Sequence, residues 1–179
     1  MLYKMRQIFY ILFSSIIIVN CGQTSTQNIN FASDDLKYDT SVIAIIPYDS
    51  ANNRYFERCK QTQLTQEDIF LIDSIIIKSV NTYNNELEKK YNDTNEKEFR
   101  SINIEYHLIN LKKYKRQYIA VTNTKGEKEV WVNIFCRTDY FLNWKTKLFN
   151  VKDGGNCFFN LKINLTKGMY YDFYVNGNG

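Results

Sequence analysis

Residues Asn156–Gly177 read N-C-F-F-N-L-K-I-N-L-T-K-G-M-Y-Y-D-F-Y-V-N-G. Apolar and polar residues alternate on both sides of Thr166-Lys167-Gly168, the pattern of two strands joined by a tight turn. A three-residue loop sets Leu165 opposite Met169, Ile163 opposite Tyr171, Leu161 opposite Phe173 and Phe159 opposite Val175. That set is one continuous apolar face. On the other face Lys162 lands opposite Asp172, and Asn160 opposite Tyr174. A slip of one residue would turn the apolar set to solvent, so the register is strongly specified. Gly168 supplies the positive φ of a type I turn with a G1 bulge.

Upstream, Thr124-Lys125-Gly126 repeats this turn chemistry between Gln117–Asn123 and Lys128–Cys136. A three-residue loop there puts Ala120 opposite Val130, Tyr118 opposite Val132 and Ile119 opposite Trp131. Two such turns reflect shared turn chemistry, not an internal repeat. Ser101–Ile109 alternates as well, with Ile102, Ile104, Tyr106 and Leu108 on one side and Asn103, Glu105 and His107 on the other. It predicts a half-buried strand, interrupted at Lys112–Arg116 before Gln117 resumes.

Before these strands, Leu64-Thr65-Gln66-Glu67-Asp68-Ile69 is a helix start. Thr65 is the N-cap, Asp68 closes a capping box, and Leu64 staples onto Ile69. Ile69, Ile72, Ile76, Val80, Tyr83, Leu87 and Tyr91 then recur on one helical face, which Ile75 and Ile77 widen early on. The pattern fades by Asn92-Asp93. Ser41–Pro47 is an apolar run ended by the chain's one proline, a strand near a sheet edge.

The assembled expectation is α+β: one long helix packed on an antiparallel sheet of about four to five strands. This order resembles the cystatin-like and NTF2-like folds, a likeness of layout that carries no activity with it.

The amino terminus reads as an address. Lys4 and Arg6 precede an apolar stretch that runs to Val19 and stops at Asn20-Cys21-Gly22, the pattern of a secretory signal over residues 1–20. Ile18-Val19-Asn20-Cys21-Gly22 resembles the lipobox of bacterial lipoproteins, with Asn20 departing from the usual small residue. The resemblance implies a chain acylated at Cys21, anchored in the membrane of a bacterial cell envelope on its periplasmic side or at the cell surface. Residues 21–40 form the acylated Cys and a Thr/Ser/Gln/Asn-rich flexible tether, and 41–179 a single domain. As random coil, Gln23–Thr40 would span roughly 25 Å.

Tyr114–Tyr118 (Y-K-R-Q-Y), Gly126–Lys128 (G-E-K), Trp131–Asn133 (W-V-N), Asp153–Leu165 and Tyr170–Phe173 (Y-Y-D-F) are similar to segments of a recurrent set of small bacterial secreted or lipid-anchored proteins. The likeness covers about the last third of the chain. It implies a shared sheet and no particular activity.

Composition narrows the function classes. Aromatics make up 16 % while Pro is 1 and Gly 7, favouring long elements over a string of short loops. The formal charge is +4, and the signal holds two of those charges, leaving about +2 on the mature chain. That is too little to argue for nucleic acid, and no basic stripe accompanies it. The heavy use of Asn and Lys reads as genome composition.

No G-x-S-x-G, H-E-x-x-H, phosphate-binding glycine loop or zinc-type Cys spacing occurs, so no catalytic residue, metal or cofactor is expected. His107, the single histidine, is expected to be solvated, with a catalytic Cys59–His107 dyad as a minor alternative. Cys136 and Cys157 could face each other across the sheet. A disulfide and two buried thiols fit equally well, and a bridge from Cys59 to either stays open.

If the helix covers one sheet face, the other carries Trp131, Phe135, Phe158, Tyr170 and Tyr174 with Asn160. Trp144 joins them from Arg137–Asn156, the longest stretch without period. Left open, this is a candidate binding face for a protein or glycan; alternatively Arg137–Asn156 or Tyr48–Thr62 folds over it. The expected function is a non-catalytic, lipid-anchored binding module, with an inhibitor or immunity-type protein as one version. The alternatives are a ligand-binding protein or small enzyme with a pocket between helix and sheet, approached by Glu105, His107 or Asp172, and a structural envelope component.

Overall fold

The structure, a computed structural model, describes residues 37–49, 55–93, 102–139 and 141–177. The signal reading, Cys21 and most of the tether lie outside the described residues. The domain is α+β, one helix on a mixed sheet. Its elements are β1 (Ile43–Ile45), β2 (Lys60–Gln61), α1 (Gln66–Asp93), β3 (Lys115–Thr122), β4 (Lys128–Phe135), β5 (Phe158–Asn164) and β6 (Met169–Val175).

Helix α1 begins as its capping box dictates. The Thr65 N–H donates to Asp68 Oδ2 at 2.8 Å and the Asp68 N–H to Thr65 Oγ1 at 3.2 Å. Ile69, Ile72, Ile75, Ile76 and Val80 are buried against Tyr118, Val130, Val132, Phe159, Leu161 and Ile163 of the sheet. Each fully buried aliphatic side chain contributes roughly 1.5–3 kcal/mol, so this layer dominates the fold. Ile77 departs from the expected stripe. It is 50 % exposed on the outer side of the helix.

Strands β3 to β6 form the antiparallel meander. Ala120 faces Val130, Tyr118 faces Val132 and Ile119 faces Trp131, the register the first hairpin predicts. The second hairpin differs near its turn. Its loop takes four residues, Leu165–Gly168, so Asn164 faces Met169, Ile163 faces Tyr170 and Lys162 faces Tyr171. A bulge between Asn160 and Lys162, with Asp172 at φ 52, absorbs the one-residue shift. Beyond it Asn160 faces Tyr174 and Phe159 faces Val175 as predicted. The bulge keeps Phe173 and Val175 on the helix side.

Two expectations are corrected here. The sheet is mixed and six-stranded, because β1 runs parallel to β3, from Ile43 beside Arg116 to Ile45 beside Tyr118. The helix between them supplies the crossover that parallel pairing needs. Strand β2 pairs antiparallel with the far half of the same β3 edge. Nor is 102–109 a strand. Asn103 and Asn110 accept from the backbone N–H groups two residues on and open 3-10 turns at Ile104–Tyr106 and Leu111–Lys113. Local side-chain capping outcompeted the alternating pattern. Ile109 is instead fixed to the helix, its N–H and C=O both bonded to the Asn84 side chain at 3.0 Å.

Over β3 and β4 the sheet is covered on both faces. Behind it, Ala44, Ile46, Phe56, Ile119, Val121, Trp131, Phe135 and Trp144 make a second core. Among the described residues, no helix is long and apolar enough to cross a membrane.

Candidate functional site

The back face of the sheet carries the candidate binding residues, and its two ends differ. Over β3 and β4 it is closed. Trp131 is 2 % exposed, with the Tyr55 ring stacked on it at 3.8 Å. Phe135 is buried beneath Trp144 and Phe149, at centroid distances of 5.6 and 4.6 Å. Phe149 in turn stacks on Phe141 at 3.9 Å. Trp131, Phe135 and Trp144 therefore do not lie on an open surface. The covering segments are the ones around Tyr55–Gln61 and Phe141–Phe149, whose aromatics gain more from burial than from exposure.

Buried amides hold this cover down. Gln117 Nε2 donates to the Trp144 and Lys147 carbonyls at 2.5 and 2.7 Å. Asn133 Nδ2 donates to Gln117 Oε1 and to the Phe149 carbonyl, both at 3.1 Å. Further along, Asn176 Nδ2 bonds the Val151 and Asp153 carbonyls at 2.6 and 3.1 Å. Asn156 Nδ2 does the same for Tyr106 and Leu108 at 3.0 and 2.9 Å. The asparagines that composition attributes to genome bias thus serve as clips that satisfy loop carbonyls. Cys136 and Cys157 are joined by a disulfide with Cα atoms 5.0 Å apart, closing the base of the covering loop.

The β5–β6 end is open. Tyr174 is 58 % exposed and sits directly across from the half-buried Asn160. Phe158 is half-buried against Phe141. Lys162 Nζ pairs with Asp172 Oδ2 at 3.2 Å and lies over the Phe56 and Tyr171 rings at 5.6 and 5.7 Å. Burial, with the Glu129 carboxylate beside it, pushes the Tyr171 hydroxyl above its ordinary range. Tyr170 is not part of this surface. The four-residue turn rotates it to the helix side, where it packs against Phe173.

The two Thr-Lys-Gly turns lie side by side and are bonded to each other, which sequence reasoning missed. Lys167 Nζ reaches Glu127 Oε1 at 2.7 Å, Asn164 Nδ2 reaches Glu127 Oε2 at 2.9 Å, and the Lys128 N–H reaches Thr166 Oγ1 at 2.9 Å. The Lys167, Asn123 and Asn164 donors hold the Glu127 carboxyl at about 2. Lys128 Nζ also bonds Asp68 Oδ2 at 2.7 Å, joining this corner to the helix cap.

The remaining polar candidates do not converge. Cys59 is an unpaired thiol packed against the back core, and burial first, then Glu129, pushes its pKa up. His107 lines a cavity of about 110 Å³ with Leu87, Tyr91, Ile102 and Ile104, on the helix side of the sheet. No Cys59–His107 dyad forms, since the two are on opposite faces. Among the described residues no group of three or more His, Cys, Asp and Glu is placed to hold a metal ion. No protein-family model matches this chain, and comparison with curated proteins and with solved structures returns no match.

Proposed function

We propose that this is a lipid-anchored protein of a bacterial cell envelope, acylated at Cys21, whose folded domain is a non-catalytic module that binds a protein or glycan. The binding surface is the open β5–β6 end of the back face, centred on Tyr174 and Asn160 and flanked by Lys162 and Asp172. One observation carries this reading. Tyr174 keeps 58 % of its surface in solvent on a face where the chain buries Trp131, Phe135 and Trp144 beneath its own loops. A tyrosine beside an amide offers an apolar ring and hydrogen-bonding groups at one spot, as interface residues do. The alternative, a ligand pocket between helix and sheet, is disfavoured by the side chains that fill that layer, with Ile72, Ile76, Val130, Leu161 and Ile163 all at 0 % exposure. One helix preceding an antiparallel meander also supports a cystatin-like or NTF2-like layout, from which no activity is drawn.

A photo-crosslinking side chain at Tyr174, in the acylated full-length chain within its own envelope, tests the module. The expected result is a discrete crosslinked product that disappears when Asn160 is replaced by a bulky charged residue. A chain that anchors normally and crosslinks to nothing would reject it.

A further inference from the structure

We infer that the outer face of the first half of helix α1 rests on the lipid surface, making the membrane a docking surface for the domain as well as the site of its anchor. The inference rests on the acylated-Cys21 reading and adds an orientation to it.

Phe70 is 63 % exposed and Ile77 50 %, and Leu71 lies beside them at 36 %. Positions 70 and 77 are two turns apart, on the side of the helix away from the sheet. Between Phe70 and Thr82 the outer side carries two charges: Lys78, which is exposed, and Asp73, whose carboxylate is 36 % exposed and is neutralised by its ion pair with Arg116. The hydroxyls on this side are already satisfied: Ser74 Oγ donates to the Phe70 carbonyl at 2.9 Å and Thr82 Oγ1 to the Lys78 carbonyl at 3.1 Å. Such back-bonding lowers the cost of bringing the helix into the interface. A lysine on this side can lay its stem along apolar surface and keep its head among anionic headgroups. The second half of the helix is different. Glu86, Glu88, Lys89 and Lys90 are exposed there, so only the first half suits a lipid surface.

The chain enters the domain at this same end. The Lys37 N–H donates to Gln66 Oε1, at the first residue of α1, at 2.9 Å. Lys37, Tyr38 and Phe70 line one cavity of about 270 Å³. Sixteen positions separate Lys37 from Cys21, a coil reach of roughly 20–24 Å. A linker this short holds the face near the bilayer at an effective concentration of order millimolar. A contact made by three apolar side chains and one lysine, too weak to bind on its own, then suffices.

The test uses the full-length acylated chain in phosphatidylethanolamine–phosphatidylglycerol vesicles, with Phe70→Trp and with or without bromine-labelled acyl chains. Trp131 and Trp144 are buried on the opposite face and supply the unquenched background. The expected result is loss of the added emission in brominated vesicles, with slowed amide exchange over 70–82. Phe70→Glu/Ile77→Glu should abolish that slowing while the chain still floats with the vesicles. Acylated, floating protein with no quenching overturns the inference and leaves the anchor reading intact. Slowed exchange without quenching means a second copy or another protein covers the face, and also overturns it. Absence of acyl mass at Cys21 removes the anchor reading, and the inference falls with it.

Discussion

The Asn133 side-chain amide donates to Gln117 Oε1 at 3.1 Å in the layer between sheet and covering loop, and both residues are buried. Together they satisfy the carbonyls of Trp144, Lys147 and Phe149. A loop without regular structure can lie over a sheet only if its backbone groups find partners, and this amide pair provides them.

Gln117→Ala should therefore cost more than the loss of a half-exposed side chain. It strands the Trp144 carbonyl and one Asn133 hydrogen at about 1–3 kcal/mol per buried group, while the part-buried Lys147 carbonyl can turn to water. We expect a loss of about 2–4 kcal/mol in urea unfolding, with faster proteolysis between Arg137 and Asn156. Unchanged proteolysis would mean that the aromatic contacts alone hold the cover.

Removing the disulfide acts on the same loop from its ends. Cys136 and Cys157 are 21 residues apart, and opening a loop of that length typically costs about 2–4 kcal/mol. Cys136→Ser/Cys157→Ser should lower the unfolding midpoint accordingly and leave the β3–β4 register intact, as read by amide exchange.

Two glycines separate backbone strain from steric clash. Gly154 has φ +100, and a Cβ there would meet the Phe158 ring at 2.7 Å; Gly126 has φ +77 with nothing within 4 Å. Gly126→Ala should cost about 1–2 kcal/mol for the left-handed backbone. Gly154→Ala should cost more and displace Phe158, seen as a change in near-UV dichroism. Equal losses would contradict the contact.

Glu127 makes stability depend on acid. Its carboxyl is held at about 2, below its ordinary 4.5, first by the Lys167 hydrogen bond and then by Asn123 and Asn164. A depressed pKa means the folded state favours the charged form. The contribution is complete above about pH 4.5 and is lost as pH falls toward about 2. Glu127→Gln should flatten the fall in stability across that window, and an unaltered slope would assign it to other carboxylates.

Cys59 should behave as a structural thiol. Burial and the nearby Glu129 raise its pKa above the ordinary 9.0, which lowers the thiolate fraction at neutral pH. Alkylation by iodoacetamide at neutral pH should be slower than for free cysteine. Rapid modification would restore it as a candidate nucleophile.

The parts of the fold legible in sequence were those fixed by short-range rules. The Thr65–Asp68 capping box and the Thr124-Lys125-Gly126 turn follow from residues within five positions of one another. The helix face was legible through its period, except at Ile77, where a β-branched apolar residue suggested burial and the helix geometry points it outward. The second hairpin was half legible. Gly168 signals a positive φ in a loop of either three or four residues, and only the Asp172 bulge tells which. The alternation in 102–108 misleads because Asn103, which fits the polar side of a strand, caps a 3-10 turn instead, as Asn110 does just beyond it. The candidate surface was least legible. Whether Phe135 meets solvent depends on Gln117 and Asn133 binding carbonyls chosen by the tertiary path, and no local pattern encodes that choice.

Strand β1 has a mechanical consequence. It is held to β3 by three paired positions, while β3 through β6 are zipped along their lengths and the β4–β5 end is locked by a covalent bridge. Tension applied at Lys37 meets the short parallel strand first. Under load applied there the domain would shed β1 as a yielding link before the meander gives way, so pulling on the segment ahead of β1 need not unfold the meander.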